Sequence, residues 1–321
     1  MTHHLVPSDA LIATRRAVLR GAAAVGAGTL AAWAGGTRAA AASHHRTGTV
    51  HVVSRHTGPY EVMALLDAHG TFPLPRQEAF PDATDADWVR AERLDPAAFG
   101  ADGTWELDFR CYAVRRPGGR VTLVDTGIGA AGSPASDWAP VPGRLPSVLQ
   151  HAGIGRDDVD TVVLTHLHED HFGWTVDPSG TPMFPGARHV VQRAEIAALD
   201  ADDSAMSYVV EPLRRAGLLH PVDGRTKVQG RPGCAAVTAV PTPGHTPGHQ
   251  SVLVDGGGRD GIVITGDVLV HAVQLAAPDV AYRLEDDRAT ARRTRWALLS
   301  EARTRHHVLA TAHLNRPFVS P

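Results

Sequence analysis

One stretch limits the possible folds of this 321-residue chain more than any other: the apolar run Thr161-Val162-Val163-Leu164-Thr165 passes directly into His166-Leu167-His168-Glu169-Asp170-His171. A short run of aliphatic and β-branched residues reads as a buried strand. Three imidazoles and a carboxylate follow at its C-terminal end. His166 and His168, two apart, project to the same side of an extended or tightly turned backbone and can meet at one cation. Asp170 and His171 fall beyond the turn and can face a second. A helix is the wrong scaffold, because residues two apart on a helix point in widely different directions. The helical H-E-x-x-H pattern also fails on spacing, since Glu169 is followed at once by Asp170 and His171. The fold must therefore bring a strand end to a metal centre.

Further ligands are expected from the ends of later strands. The chain supplies Thr242-Pro243-Gly244-His245-Thr246-Pro247-Gly248-His249, Thr265-Gly266-Asp267 and Thr311-Ala312-His313. Each stands beside an apolar run. Residues 108–114 and 120–125, joined across Pro117-Gly118-Gly119, read as a hairpin. Residues 160–165, 188–192, 235–240, 250–254 and 261–265 read as short strands, and helical periodicity appears at 145–152, 208–219 and 289–302. Interleaved helices and short strands make an α/β layered fold. The Pro-, Asp- and Ala-rich stretches 71–103 and 130–146 are expected as long surface loops. Phe172, Trp174, Met183, Phe184 and Tyr208 are candidates for a hydrophobic pocket.

The order of H-x-H-x-D-H, G-H-T-P-G-H, G-D and a final histidine resembles the metallo-β-lactamase superfamily, over residues 47–313. That resemblance implies a four-layer αββα sandwich with two divalent metal ions, zinc by expectation, at one edge. It assigns His166, His168 and His245 to one ion, Asp170, His171 and His313 to the other, and Asp267 to a bridge between them. It also implies a hydroxide shared by the two ions as attacking group, with Asp170 and Asp267 in the catalytic apparatus. Asp125, in Val124-Asp125-Thr126-Gly127, is expected to orient a ligand histidine. His249 reads as a packing or hydrogen-bonding neighbour, and His271 either faces substrate or packs. Two-metal β-lactamases of the superfamily place a cysteine near the position of Asp267, and none stands there in this chain. The segment Gly266-Asp267-Val268-Leu269-Val270-His271 resembles more the acyl-homoserine lactonases and organophosphate hydrolases, although some lactonases carry a tyrosine where this chain has Val268 to His271. Lactone or ester hydrolysis is the expected reaction. A phosphotriester or glyoxalase-like thioester hydrolase, a β-lactamase, a mononuclear-iron persulfide dioxygenase and a non-catalytic metal-binding protein are the alternatives. Arg292, Arg293 and Arg295 read as one solvated helix face rather than a glutathione site.

The formal net charge of -3 gives no basic surplus to attract a phosphate backbone, so a small-molecule substrate is expected and nucleic acid is not. Thr14-Arg15-Arg16-Ala17-Val18-Leu19-Arg20, a moderately apolar run and the small residues Ala39 to Ala42 resemble a twin-arginine export signal. Residues 1–42 are then the signal, read by export machinery through Arg15 and Arg16, and 43–321 the catalytic unit. The expected location is extracellular, periplasmic or cell-envelope, with no stable membrane insertion after cleavage. Cys111 and Cys234 are the two cysteines, and both a disulfide and two free thiols fit the sequence.

Overall fold

The computed structural model describes residues 52–230, 235–258 and 260–321. Arg15, Arg16 and Cys234 lie outside them, while Cys111 is a free, buried thiol. Seven strands form the first sheet in chain order: β1 (Val53–Thr57), β2 (Tyr60–Thr71), β3 (Glu106–Arg115), β4 (Val121–Val124), β5 (Val159–Val163), β6 (Arg188–Gln192) and β7 (Leu219–Val222). β1 to β4 are antiparallel, and β4 to β7 run parallel. β8 (Thr226–Gly230), β9 (Ala236–Pro241), β10 (Gln250–Asp255), β11 (Gly261–Ile264), β12 (Val308–Ala310) and β13 (Phe318–Val319) form the second, in the order β13-β12-β11-β10-β9-β8.

Period-two alternation decides which side chains go where. Val62, Ala64, Tyr112, Val114, Val124, Val163 and Val190 turn inward and meet Val237, Ala239, Val252, Val254, Ile262, Ile264 and Ala310 of the second sheet. Their alternating neighbours Met63, Leu65, Cys111, Ala113, Leu123, Val162 and Val191 turn outward, where Val148, Leu149, Val209 and Leu213 cover them. Across the sandwich, Leu309 and Val263 pack under Leu299 and Ala302 of the helix Arg288–Thr304. The result is helices, sheet, sheet and helix, the expected αββα order.

Strand ends put the motifs together. The C-terminal ends of parallel β4 and β5 deliver Asp125 and the His166 segment, while parallel β11 and β12 deliver Asp267 and His313. The backbone joins the two sheets there, with Gln250 N donating to Thr165 O at 2.8 Å.

Three expectations differ from the structure. Residues 71–103 are not a surface loop: they form the helices Arg76–Ala79 and Asp85–Leu94, and Phe72, Leu74, Phe80 and Ala91 enter a buried cluster with Trp105, Phe109, Val273 and Tyr282. Phe172, Trp174, Met183, Phe184 and Tyr208 do not form a pocket beside the ligands. They belong to the cluster under the outer helices. The 208–219 periodicity resolves into a wide turn at Met206–Val210, the short helix Glu211–Arg215 and the start of β7.

Candidate metal centre

All seven expected ligands converge, in two groups that could each hold a cation: His166, His168, His245 and Asp267 in one, Asp170, His171 and His313 in the other. His168 is half-buried and the rest are buried. In the first group His168 Nδ1 lies 2.8 Å from His166 Nε2 and 3.0 Å from His245 Nε2. In the second, His171 Nε2 and His313 Nε2 are 3.2 Å apart, and Asp170 Oδ2 lies 3.6 and 3.5 Å from them. Asp267 spans the groups. Its Oδ2 is 3.1 Å from His245 Nε2 and 3.8 Å from His166 Nε2, and its Oδ1 is 3.2 and 3.1 Å from the Nε2 atoms of His171 and His313.

The proton inventory shows what these contacts mean. Asp125 Oδ2 accepts from His171 Nδ1 at 2.9 Å, so Nε2 of His171 is the atom that points inward. His313 Nδ1 donates to the Asp108 carbonyl at 3.0 Å, with the same result. Thr165 Oγ1 gives its own proton to Asp125 Oδ2 at 2.8 Å and takes one from His166 Nδ1 at 3.0 Å, which leaves His166 Nε2 pointing inward as well. Ring nitrogens and carboxylate oxygens therefore face one another across about 3 Å, and the buried Asp267 Oδ1 has no hydrogen bond of good geometry. Such a cluster calls for positive charge at its centre: although burial opposes it, Asp267, Asp170 and Asp125 hold the His171 imidazole well above its ordinary range when no metal is bound, and a metal ion can take the place of that proton. Tetrahedral zinc, with ligands at about 2.0–2.2 Å, spaces its donors near ~3.3 Å, so this donor set fits such an ion.

Charge follows the same logic. Burial opposes ionisation of Asp267, but His171, His313 and His245 outweigh it and hold the carboxyl well below the usual range. Burial, reinforced by the neighbouring His171 and His168, pushes the His166 imidazole well below its ordinary range.

Comparison with known proteins agrees with this arrangement. The model of the metallo-beta-lactamase superfamily matches residues 110–315. The chain belongs to the metallo-beta-lactamase superfamily. Among its curated relatives within the superfamily, an N-acyl homoserine lactonase AttM of Rhizobium radiobacter is 32% identical over 171 residues, which span 48% of this chain and 62% of that protein. The match thus covers less than two thirds of the relative's length. Among solved structures, a hydrolase of the beta lactamase superfamily, AbOPH, superposes with a TM-score of 0.67 at 24% identity, over 84% of this chain and 92% of the other. AidC, described as a dizinc quorum-quenching lactonase, superposes with a TM-score of 0.65 at 21% identity, over 83% and 91%.

In this superfamily member the ligands are held by groups that the motifs do not reveal. Asp125 has a positive φ of 59°, a conformation that aspartate tolerates better than most residues, and its carboxylate also accepts from Thr165 N at 2.7 Å. Buried Arg110 pairs with Asp108 and donates to the carbonyls of Thr311 and Leu314, at 3.1 and 2.6 Å, on either side of His313. His249 is not a ligand: its Nε2 accepts from Asp267 N at 2.9 Å, and burial pushes its pKa down to about 3. Gly266 sits at φ +53°, and a Cβ there would lie 2.6 Å from that nitrogen, so glycine is needed. His271 packs. Its Nδ1 caps the helix Ala272–Ala276 by accepting from Val273 N at 3.0 Å, and Phe80, Trp88, Phe99 and Trp105 surround its ring.

Arg295 corrects the expectation of a solvated face. It is fully buried, pairs with Glu285 at 2.8 Å and donates to the carbonyls of Pro278, Val268 and Val280, while Arg292 and Arg293 are exposed. Arg295 thus fixes the segment just after Asp267. The apolar wall beside the ligands is also different from the expected one. Tyr282 stacks at 6° on His245, Phe109 meets His313 edge-on at 5.8 Å, and half-buried Trp138 packs on Phe109 and Phe72. Trp138 Nε1 donates to Glu169 Oε2 at 2.8 Å, which ties this wall to the ligand loop.

Proposed function

We propose that this protein is an exported, metal-dependent hydrolase of lactones or esters, with two zinc ions at the edge of the sandwich and an acyl-homoserine-lactone-like substrate. The observation that carries it is the convergence of five imidazoles, with His171 and His313 anchored through Nδ1 so that Nε2 faces the centre, on a shared carboxylate. In this reading His166, His168 and His245 hold one ion, Asp170, His171 and His313 the other, and Asp267 stands between them. When bound, two such ions supply an activated water and a Lewis acid for the oxygen under attack. The chain's own part is to position and to manage protons. Asp125 and the Asp108 carbonyl keep His171 and His313 in the tautomer that presents Nε2. Asp170, whose Oδ2 stands on the side of both imidazoles, takes the proton released at attack and returns it to the leaving oxygen. Half-buried Trp138, backed by the buried Phe109 and Phe72, packs against an acyl chain and helps exclude water from the reacting carbonyl.

The lactonase named among the relatives supports the choice of substrate class. The absence of cysteine near Asp267 speaks against a β-lactam. Residues 1–42, with Arg15 and Arg16, support export through a twin-arginine route and a catalytic unit of residues 43–321. The test is a substrate panel at equal zinc loading: homoserine lactones with acyl chains of increasing length, a phosphotriester and an aryl thioester. Fastest turnover on long-chain lactones supports the reading, whereas turnover confined to the phosphotriester or the thioester overturns its substrate class.

A further inference from the structure

Glu195 belongs to no recognised motif, yet its carboxylate joins both loops of the first ligand group. It sits in the short helix Arg193–Ala197 after β6, with 3% of its surface exposed. Its Oε1 accepts from Leu167 N at 2.9 Å, the peptide between His166 and His168. Its Oε2 accepts from Thr246 Oγ1 at 2.7 Å and from Gly248 N at 2.9 Å, in the turn that begins with His245. The turn is pressed against this helix, since a Cβ on Gly248 would lie 2.1 Å from Glu195 N. Two main-chain donors and a hydroxyl, from loops far apart in sequence, thus share one buried carboxylate. A carboxylate accepts at both oxygens, but an amide of the same shape would turn an N–H toward the N–H of Gly248 or of Leu167. The second ligand group has no contact with Glu195 and rests on Asp125, which also reaches His166 through Thr165, on the Asp108 carbonyl and on Arg110.

We propose that Glu195 is a positioning residue that fixes the spacing of the loops bearing His166, His168 and His245, and thereby sets the zinc affinity of that position separately from the one at Asp170, His171 and His313. The proposal rests on the two-zinc reading above.

Zinc binding by the full chain, titrated against a chromophoric chelator, tests it without reference to turnover. Wild type should take up two equivalents. In Glu195→Gln one equivalent should weaken by about 10- to 100-fold while the other changes by less than about 2-fold. Thr246→Val, which removes one of the three donors, should weaken the same equivalent by about 5-fold. This milder variant carries the test if Glu195→Gln fails to fold, as judged from circular dichroism of the metal-free proteins. In a His313→Ala background, where the second position is disabled, Glu195→Gln should still weaken the remaining equivalent. Unchanged affinities in the folded variants, or equal weakening of both equivalents, would overturn the role of Glu195. Wild type without zinc uptake would overturn the metal reading and this role with it, a result distinguishable from the other two.

Discussion

At the scale of single residues, the centre depends on which nitrogen of each histidine carries its proton. Asp125 decides this for His171 directly, and for His166 through Thr165. Asp125→Ala should therefore weaken zinc binding by about 10- to 100-fold, measured by chelator competition, without unfolding the chain. Loss of a direct ligand is more severe. In Asp267→Ala at least one zinc equivalent should be missing from the elemental analysis, with activity down by more than about 100-fold, because each group loses one oxygen of the carboxylate between them. A different residue governs pH-dependent stability. Asp67 is buried among the N–H groups of Ile128, Leu145 and the Trp174 ring, at 2.7, 2.6 and 3.1 Å, and burial raises its pKa from 3.8 to about 6. Because folding raises this pKa, the contribution is complete below 3.8 and is lost as the pH rises through about 6. Urea unfolding of the metal-free protein should show the advantage of wild type over Asp67→Asn falling by about 3 kcal/mol between pH 4 and pH 7. A constant difference would contradict the assignment. The residues that converge in the two groups were legible in the sequence because each lies in a short motif. Asp67, Arg110 and Glu195 were not, since their partners are main-chain groups distant in sequence and no local pattern marks a buried charge.

At the scale of elements, the strands carrying ligands were legible because apolar runs end in Gly, His or Asp. The hairpin of β3 and β4 and the span of β6 were likewise readable from alternation and turn chemistry. The long β2 was not, because its outer end, from Asp67 to Thr71, mixes polar residues into the apolar pattern and bends through a register shift. The stretch 71–103 misled for another reason. Its Pro, Asp and Ala content reads as loop, but Phe72, Leu74 and Phe80 find partners in Trp105 and Tyr282, which are remote in sequence. Arg295 was misread because helical periodicity places it near Arg292 without revealing that Glu285 covers it. Breaking this buried pair should be costly. Arg295→Met should lower unfolding stability by about 3–5 kcal/mol, and the double change with Glu285→Leu should recover much of that loss. Equal losses in the single and double variants would show that the pair does not act as a unit. Trp138 belongs to this scale too, since it joins the 130–146 segment to the ligand loop through Glu169. Trp138→Ala should raise KM for long-chain lactones several-fold while leaving short-chain substrates nearly unchanged.

At the scale of the whole molecule, two sheets share one interior, and their strand ends meet at one edge. This explains why seven candidate ligands spread from residue 166 to residue 313 come together across both halves of the sandwich. Export is read from residues outside the described structure. Residues 1–42 fused to a folded reporter should carry it out of the cytoplasm, and Lys at both Arg15 and Arg16 should stop that transport. The most direct test of the central claim is to strip the mature protein of metal, return zinc in steps and record zinc bound together with ring opening of a long-chain acyl-homoserine lactone. Two equivalents should bind, with activity rising as the second site fills, and His168→Ala should abolish that rise. Full activity in the stripped protein, or two bound equivalents with no turnover of lactone or ester, would contradict it.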